Sequence, residues 1–219
     1  MLVGLVSDTH GVYDPALAAH FAGADAILHA GDVGSHGGHA AVLARLRELC
    51  PAVHCVRGNV DDDAAALQDL PDSLLLTLAG WRVLLVHILA DAAAAVQRYQ
   101  PDIVLHGHSH QYSVEEVEAP QGGVMLRVNP GSAGPARFKL KRTAALLTLP
   151  PKDSGERPQV QRIELAAKAP PRLPEACRPK KQAASAAAGS WRPGGYIGSR
   201  QRQRSRTATA AGAQKRLRV

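Results

Sequence analysis

The sequence predicts an α/β protein, a two-sheet β-sandwich flanked by helices, on three observations. Short runs of Val, Ile, Leu and Ala at residues 2–6, 26–30 and 53–56 alternate with stretches that carry apolar residues at helical spacing. That is the pattern of βαβ units in a largely parallel sheet. After residue 72 the rhythm changes to strand-like runs joined by Ala-Gly and Pro-Gln-Gly-Gly turns, which calls for a second sheet with hairpins. The runs at 2–6, 26–30, 53–56 and 103–105 each stop at a Gly-containing cluster of Asp, Asn or His. In open α/β sheets the working groups collect at the carboxyl ends of the strands.

Taken in order, residues 2–6 form a β-branched and Leu run that feeds Ser7-Asp8-Thr9-His10-Gly11, a buried strand opening into a loop. Residues 15–21 read as a short helix. The run 26–30 is a second strand ending at Gly31-Asp32, and 36–49 is a crossover helix by its Ala, Val and Leu spacing. Residues 53–56 form a third strand that ends at Arg57-Gly58-Asn59-Val60-Asp61. Strands at 73–78 and 81–88 flank Ala79-Gly80, and the second carries His87. Residues 91–99 read as a helix with Asp91 near its start, where a carboxylate complements the exposed N–H groups. A strand at 103–105 runs into His106-Gly107-His108-Ser109-His110, followed by strands at 112–118, 124–128, 143–149 and 160–165. No internal repeat is present.

The net charge of +7 hides two opposite halves. Residues 1–150 hold 10 Lys+Arg against 15 Asp+Glu, a net of −5, whereas residues 151–219 hold 16 against 4, a net of +12. The asymmetry divides the chain into a domain at 1–166 and a basic tail at 167–219. The tail, with Pro170-Pro171, Pro174, Pro179 and an Ala/Ser run, offers no periodic apolar face. It has too little apolar surface to offset chain entropy and is expected to be disordered. Arg178-Pro179-Lys180-Lys181 and Lys215-Arg216-Leu217-Arg218 are patterns of nuclear import or of nucleic-acid and other polyanion contact. Trp191 and Tyr196 stand alone, so no stacking platform is evident. Three cysteines, Cys50, Cys55 and Cys177, are an odd number without the spacing of a disulfide framework, so a reducing compartment is the simpler reading. No apolar run reaches the length of a membrane span, and a first strand starting at Leu2 leaves no room for a cleavable leader. The expected address is cytoplasmic, with the nucleus as the alternative.

The chemistry lies in Asp8, His10, Asp32, Asn59, His87, His108 and His110. Asp8 and His10 are two residues apart, a spacing that puts both side chains on one face of a strand, within reach of one cation. All seven residues are oxygen or imidazole donors and none is a thiolate. Such a set suits Mn, Fe, Zn or Ni rather than a structural Cys-bound zinc. Seven donors exceed what one ion takes from a protein, so two divalent ions with a bridging carboxylate is the economical arrangement.

The series Asp8-x-His10, Gly31-Asp32, Gly58-Asn59, His87 and Gly107-His108-x-His110 resembles the calcineurin-like metallophosphoesterase superfamily. Within it, the chain is most similar to the small bacterial and archaeal phosphodiesterase-like group. Asn129-Pro130-Gly131-Ser132 matches a segment this group carries late in the domain, and the resemblance spans residues 1–165. It implies the four-layer αββα metallophosphoesterase fold. It implies that Asp8, His10 and His110 hold one ion, that Asp32 bridges, and that Asn59, His87 and His108 complete the second. Asp32, Asn59 and His108 then serve the catalytic step, with Mn the favoured metal. The implied reaction is hydrolysis of phosphodiesters or activated phosphate esters by a hydroxide held between the ions, with no protein nucleophile. The same resemblance includes a retromer subunit that uses this fold for protein contacts. A non-catalytic scaffold is therefore the alternative, against which the complete donor set argues. A nucleic-acid-associated protein recruited through the tail is a further rival.

Two departures bear on the substrate. Many members follow Gly-Asn with a His that contacts the phosphate or assists the leaving group, where this chain has Val60. After His87 it reads Ile88-Leu89-Ala90 in place of the frequent Gly-His. Among the remaining polar residues, His29 and His106 are expected to lie in the core or behind the donors. His36, His39 and His54 are read as surface or packing residues. Asp61-Asp62-Asp63 reads as a solvated helix start in which Asp61 can support the Asn59 loop. Asn129 and Ser132 read as a structural turn beside the site.

Overall fold

The computed structural model describes residues 1–34, 38–61, 69–137 and 139–173. The readings at His36, Asp62, Asp63, Cys177 and the basic clusters of the tail lie outside these residues.

Two five-stranded sheets form the frame. In the first, β1 (Leu2–Val6), β2 (Ala26–His29) and β3 (Val53–Cys55) run parallel in that order. The late strands β9 (Thr143–Thr148) and β10 (Gln159–Glu164) extend it antiparallel from β1, giving β10-β9-β1-β2-β3. The second holds β4 (Ser73–Leu78), β5 (Trp81–Val86), β6 (Ile103–Leu105), β7 (Ser113–Glu118) and β8 (Val124–Asn129). Its order is β4-β5-β6-β8-β7, with two antiparallel hairpins at the edges and parallel pairs β5–β6 and β6–β8 in the middle.

Strand alternation decides what each face buries. Val3, Leu5, Leu28 and Leu147 of the first sheet meet Val83, Leu85 and Leu105 of the second in one apolar layer. The opposite face of the first sheet, with Val6 and Ile27, packs on Leu17 of α1 (Ala16–His20), Phe21, and Val42 and Leu46 of α2 (His39–Leu49). Gly4 sits on that face because a Cβ there would lie 2.9 Å from the Phe21 ring. The outer face of the second sheet, with Leu84, Val86 and Val104, is covered from Ala92 and Val96 of the segment around α3 (Ala93–Tyr99). The layers are therefore helix, sheet, sheet, helix, the predicted four-layer arrangement.

Element boundaries shift where backbone hydrogen bonds run out. The strand expected over 81–88 stops at Val86, and the chain turns through a 3-10 segment at Leu89–Ala92 before α3 begins. Asp91 lies in that turn rather than at the head of the α-helix. Beyond β10 the described chain runs without helix or strand to Leu173. There its N–H donates to Gly11 O at 2.9 Å and its side chain packs on the α1/α2 layer.

Candidate metal centre

Five strand ends converge. Asp8 and His10 follow β1, Asp32 follows β2, Asn59 follows β3, His87 follows β5, and His108 and His110 follow β6. The β1 and β2 loops continue their pairing beyond the strands through Asp8 N–H to Gly31 O and His10 N–H to Asp32 O, both at 3.0 Å. Asp8 and His10 do not share a face through strand alternation, however. Both lie in the loop with φ of 53° and 48°, so left-handed backbone turns the two side chains to one spot. Asp32, His108 and His110 adopt the same conformation, at φ 54°, 70° and 58°. Close approach of the loops depends on glycine. A Cβ at Gly58 would fall 2.1 Å from Asp32 Oδ1, and one at Gly107 would fall 2.0 Å from Ser7 Oγ.

The donors form two groups that meet at Asp32. In the first, one ligand atom each from Asp8, His10, Asp32 and His110 lies within 4.8 Å of every other, and all four residues are buried. His10 Nε2 is 3.3 Å from His110 Nε2 and 3.8 Å from Asp32 Oδ2, and His110 Nε2 is 3.2 Å from Asp8 Oδ1. In the second, Asn59 Oδ1 lies 3.0 Å from His87 Nε2 and 2.8 Å from His108 Nδ1, and His87 Nε2 is 3.3 Å from Asp32 Oδ1. The two oxygens of Asp32 thus face different groups. Asn59 and His108 are exposed, so the second group opens to solvent.

Burial and charge set the protonation of these groups. Burial pushes His10 down to about 4, with the Arg137 cation and His110 adding to it against the pull of Asp32 and Asp8. Burial works against the Asp32 carboxylate, yet His87, the Val60 N–H and His10 together hold its pKa below the ordinary value. His87 shows the converse: burial disfavours its charge, but the hydrogen bond and charge of Asp32 outweigh that and raise its pKa.

The residues present fit divalent cations. Asp8 Oδ1 and Ser7 Oγ, with Nδ1 of His10 and His110, make up four of the six buried side-chain atoms without a hydrogen-bond partner among the described residues. Unsatisfied polar atoms concentrated on the residues of one donor group and beside it mark a site rather than a core. Asp8 Oδ2 accepts the His108 N–H at 3.1 Å, which leaves Oδ1 turned to the histidines. With His87 Nδ1 donating to Ala30 O at 2.7 Å, a neutral ring carries its lone pair at Nε2, facing two oxygen acceptors. Acceptor against acceptor requires a proton or a cation between them.

Residues behind the donors hold the loops. Asn129 Nδ2 donates to Gly107 O at 2.9 Å and Ser109 Oγ at 3.0 Å, and Ser132 Oγ donates to Asp8 O at 2.9 Å. His29 is fully buried between Thr9 Oγ1 at 2.9 Å and the Gly31 N–H at 3.2 Å, tying the first two loops together. Asp61 is not a solvated helix start. It is fully buried, and its carboxylate accepts the N–H groups of Gly58, Gly34 and Val33. Two arginines were not anticipated from sequence. Arg142 is buried, ion-paired to Asp14 at 2.9 Å, and donates to Ala133 O and Gly134 O in the loop beside the centre. Arg137 reaches the centre itself, with Nη2 at 3.2 Å from His10 Nε2. Arg137 directly follows the Gly-Ser-Ala-Gly-Pro-Ala run and opens the cationic stretch that continues with Lys139, Lys141 and Arg142, so no local cue singles it out.

Residues 1–152 match the sequence model of the calcineurin-like phosphoesterase superfamily domain. The chain belongs to that superfamily. Among solved structures it is similar to Vps29 from Entamoeba histolytica complexed with zinc, at 20% identity and TM-score 0.56, over 75% of this chain and 99% of that one. Vps29 from Chaetomium thermophilum is similar at 19% identity and TM-score 0.54, over 77% and 99%. An archaeal phosphodiesterase matches at 20% identity and TM-score 0.55, over 75% and 100%. These proteins share the fold of the chain.

Proposed function

We propose that the protein is a dinuclear-metal phosphoesterase acting on phosphodiesters or activated phosphate esters. The observation that carries this reading is Asp32, whose two carboxylate oxygens face two separate donor groups. Asp8, His10 and His110 hold one divalent ion, Asn59, His87 and His108 hold the other, and Asp32 spans them. The ions supply Lewis acidity and a water activated at neutral pH. Mn suits the mixed carboxylate and imidazole set, with Fe, Zn or Ni as alternatives.

The chain's own part is placement. Ala30 O fixes the His87 ring so that Nε2 points inward, and the Val60 N–H holds Asp32 Oδ1 at 3.1 Å. Exposed Asn59 and His108 form the edge that substrate approaches. Beside them a cleft of about 260 Å³, lined by Arg57, Asp72, His87, Ile88 and Asp91, offers room for the ester's organic group. A purely scaffolding role, the other reading of this fold, has no need of a buried carboxylate oxygen at Asp8 that makes no hydrogen bond and lies 3.2 Å from His110 Nε2.

Elemental analysis after Mn loading, with an aryl phosphodiester assay on wild type and Asp32→Ala, tests the proposal. Expected are about two ions per wild-type chain and a loss of turnover by orders of magnitude in a folded variant. Near-normal turnover in Asp32→Ala, or wild-type metal content well below one ion per chain, overturns it.

A further inference from the structure

We propose that Arg137 is the substrate-binding residue of this site, donating its guanidinium N–H groups to the non-bridging oxygens of the phosphoryl group. The inference rests on the phosphoesterase reading and names the group that grips the substrate.

The base of Arg137 is fixed relative to the donors. Ala133 N–H donates to Ser7 O and Gly134 N–H to Asp8 O, both at 3.1 Å, so the loop is bonded directly to the segment that carries Asp8 and His10. Arg142 holds the same loop from behind through Ala133 O and Gly134 O. Leu140 N–H donates back to Arg137 O at 3.1 Å, closing the turn. From this anchored, exposed position the guanidinium reaches inward to His10.

Its pairing differs from that of six other arginines. Arg45, Arg57, Arg127, Arg142, Arg157 and Arg162 each lie against a carboxylate. No carboxylate among the described residues forms an ion pair with Arg137, and its one hydrogen-bond partner among them is the ring of His10. A guanidinium has five donors and no acceptor, so most of its donors have no hydrogen-bond partner among the described residues.

Charge decides which ligand belongs there. The His10 nitrogen that Arg137 touches faces the first donor group, 3.3 Å from His110 Nε2 and 3.8 Å from Asp32 Oδ2. A divalent ion held by that group repels a neighbouring guanidinium, and the repulsion is relieved by an anion shared between them. A tetrahedral oxyanion meets both demands, and a planar guanidinium matches two of its oxygens at once. Arg57, at the far side next to Asn59, is ion-paired with Asp72 and does not supply this group. Arg137 also answers the departure at Val60, where an apolar side chain can donate nothing to the phosphate. An arginine stabilises negative charge but does not give up its proton at ordinary pH. It can bind the phosphoryl group without protonating a leaving alkoxide.

The test compares wild type, Arg137→Ala and Arg137→Lys, loaded with Mn. Inorganic phosphate affinity is measured by calorimetry, Mn content by elemental analysis, and KM and kcat with an aryl phosphodiester. In Arg137→Ala, phosphate binding should weaken about 10–100-fold, as expected for losing charge-assisted hydrogen bonds. KM should rise with it, Mn content should stay at the wild-type level, and Arg137→Lys should recover part of the affinity. Phosphate affinity and KM within twofold of wild type in Arg137→Ala overturn the proposal. If wild type takes up no Mn, the metal reading fails separately, and phosphate titrated into the metal-free proteins decides the role of Arg137. Weaker binding by Arg137→Ala there supports it, and equal binding overturns it.

Discussion

Asp61 gives the sharpest test of how the centre is held together. Its carboxylate accepts N–H groups from Gly58 at 2.8 Å, Gly34 at 3.1 Å and Val33 at 3.3 Å, joining the loop that carries Asn59 to the one that carries Asp32. Replacing it by Ala strands three buried donors, each costing about 1–3 kcal/mol when left unsatisfied. Part of that is offset, because the carboxylate is itself costly to bury: burial raises its pKa despite the three bonds. The net loss should be about 2–4 kcal/mol, a large share of the roughly 5–15 kcal/mol that stabilises a typical domain. Asp61→Asn should recover little, since an amide presents one acceptor oxygen and turns an NH2 group towards remaining N–H donors. Urea denaturation of the metal-free protein reads the stability, and Mn titration reads the coupling to the site. Affinity should fall about 10–100-fold, as for other partners that orient ligands from behind. A stability change under about 0.5 kcal/mol with unaltered Mn affinity would refute the reasoning and return Asp61 to a solvated charge run.

Three further predictions follow from the same geometry. Burial lowers His29 to about 4, so the native state refuses a proton that the unfolded chain accepts near 6.5. The stability this supplies is present above 6.5 and is lost as pH falls through 4, about 3 kcal/mol in all. His29→Gln should flatten the pH dependence of the urea midpoint between 7 and 4, and parallel curves for the two proteins would contradict it. With the Val60 side chain unable to donate, the proposed phosphoesterase should cleave aryl phosphodiesters and turn over alkyl monoesters poorly. A positioned donor is worth about 10²–10⁴-fold, so Val60→His should help poor leaving groups more than good ones in a leaving-group series. Wild type that cleaves both classes equally fast would refute this. Finally, a chain ending at Leu173 should keep its metal content and turnover while losing nucleic-acid binding that, in the full chain, falls steeply with salt. Equal binding by both chains would exclude the basic tail as the attachment point.

The frame was legible because the buried strands are written as compact apolar runs, while β7 and β10 alternate polar and apolar residues, and the donors were legible because each follows a strand run, most of them in a cluster that contains a glycine. What escaped depended on contacts distant in sequence. Asp61 reads with Asp62 and Asp63 as a solvated run in which it alone can support the Asn59 loop, but its burial is not legible there. Only the folded loops show that the carboxylate at 61 faces inward to three N–H groups. Arg137 lies 127 residues from His10, and nothing local distinguishes it from an ordinary surface arginine. Arg142 reads as part of a basic pair with Lys141, yet it is buried against Asp14 while Lys141 stays exposed on Glu164.

Backbone strain was the least legible feature, and it explains why the supporting residues are so heavily bonded. Glycine announces a positive φ in sequence, but Asp8, His10, Asp32, His108 and His110 adopt one without announcing it. Left-handed backbone costs an L-residue roughly 1–2 kcal/mol, less for Asp. Five such positions therefore oppose folding by an amount on the order of the domain's whole net stability. The strain persists only where the surroundings over-determine it. Asn129, Asp61, Ser132 and Arg142 each make buried hydrogen bonds to one of these loops or to the segment that braces them. Cations held by the donors would add to that restraint, since ions that bind only the native arrangement stabilise it by mass action. The donors can be held in an unfavourable conformation because the braces are buried and the ligands charged. Weakening a brace should therefore lower metal affinity and stability together, even at a residue that touches no ion.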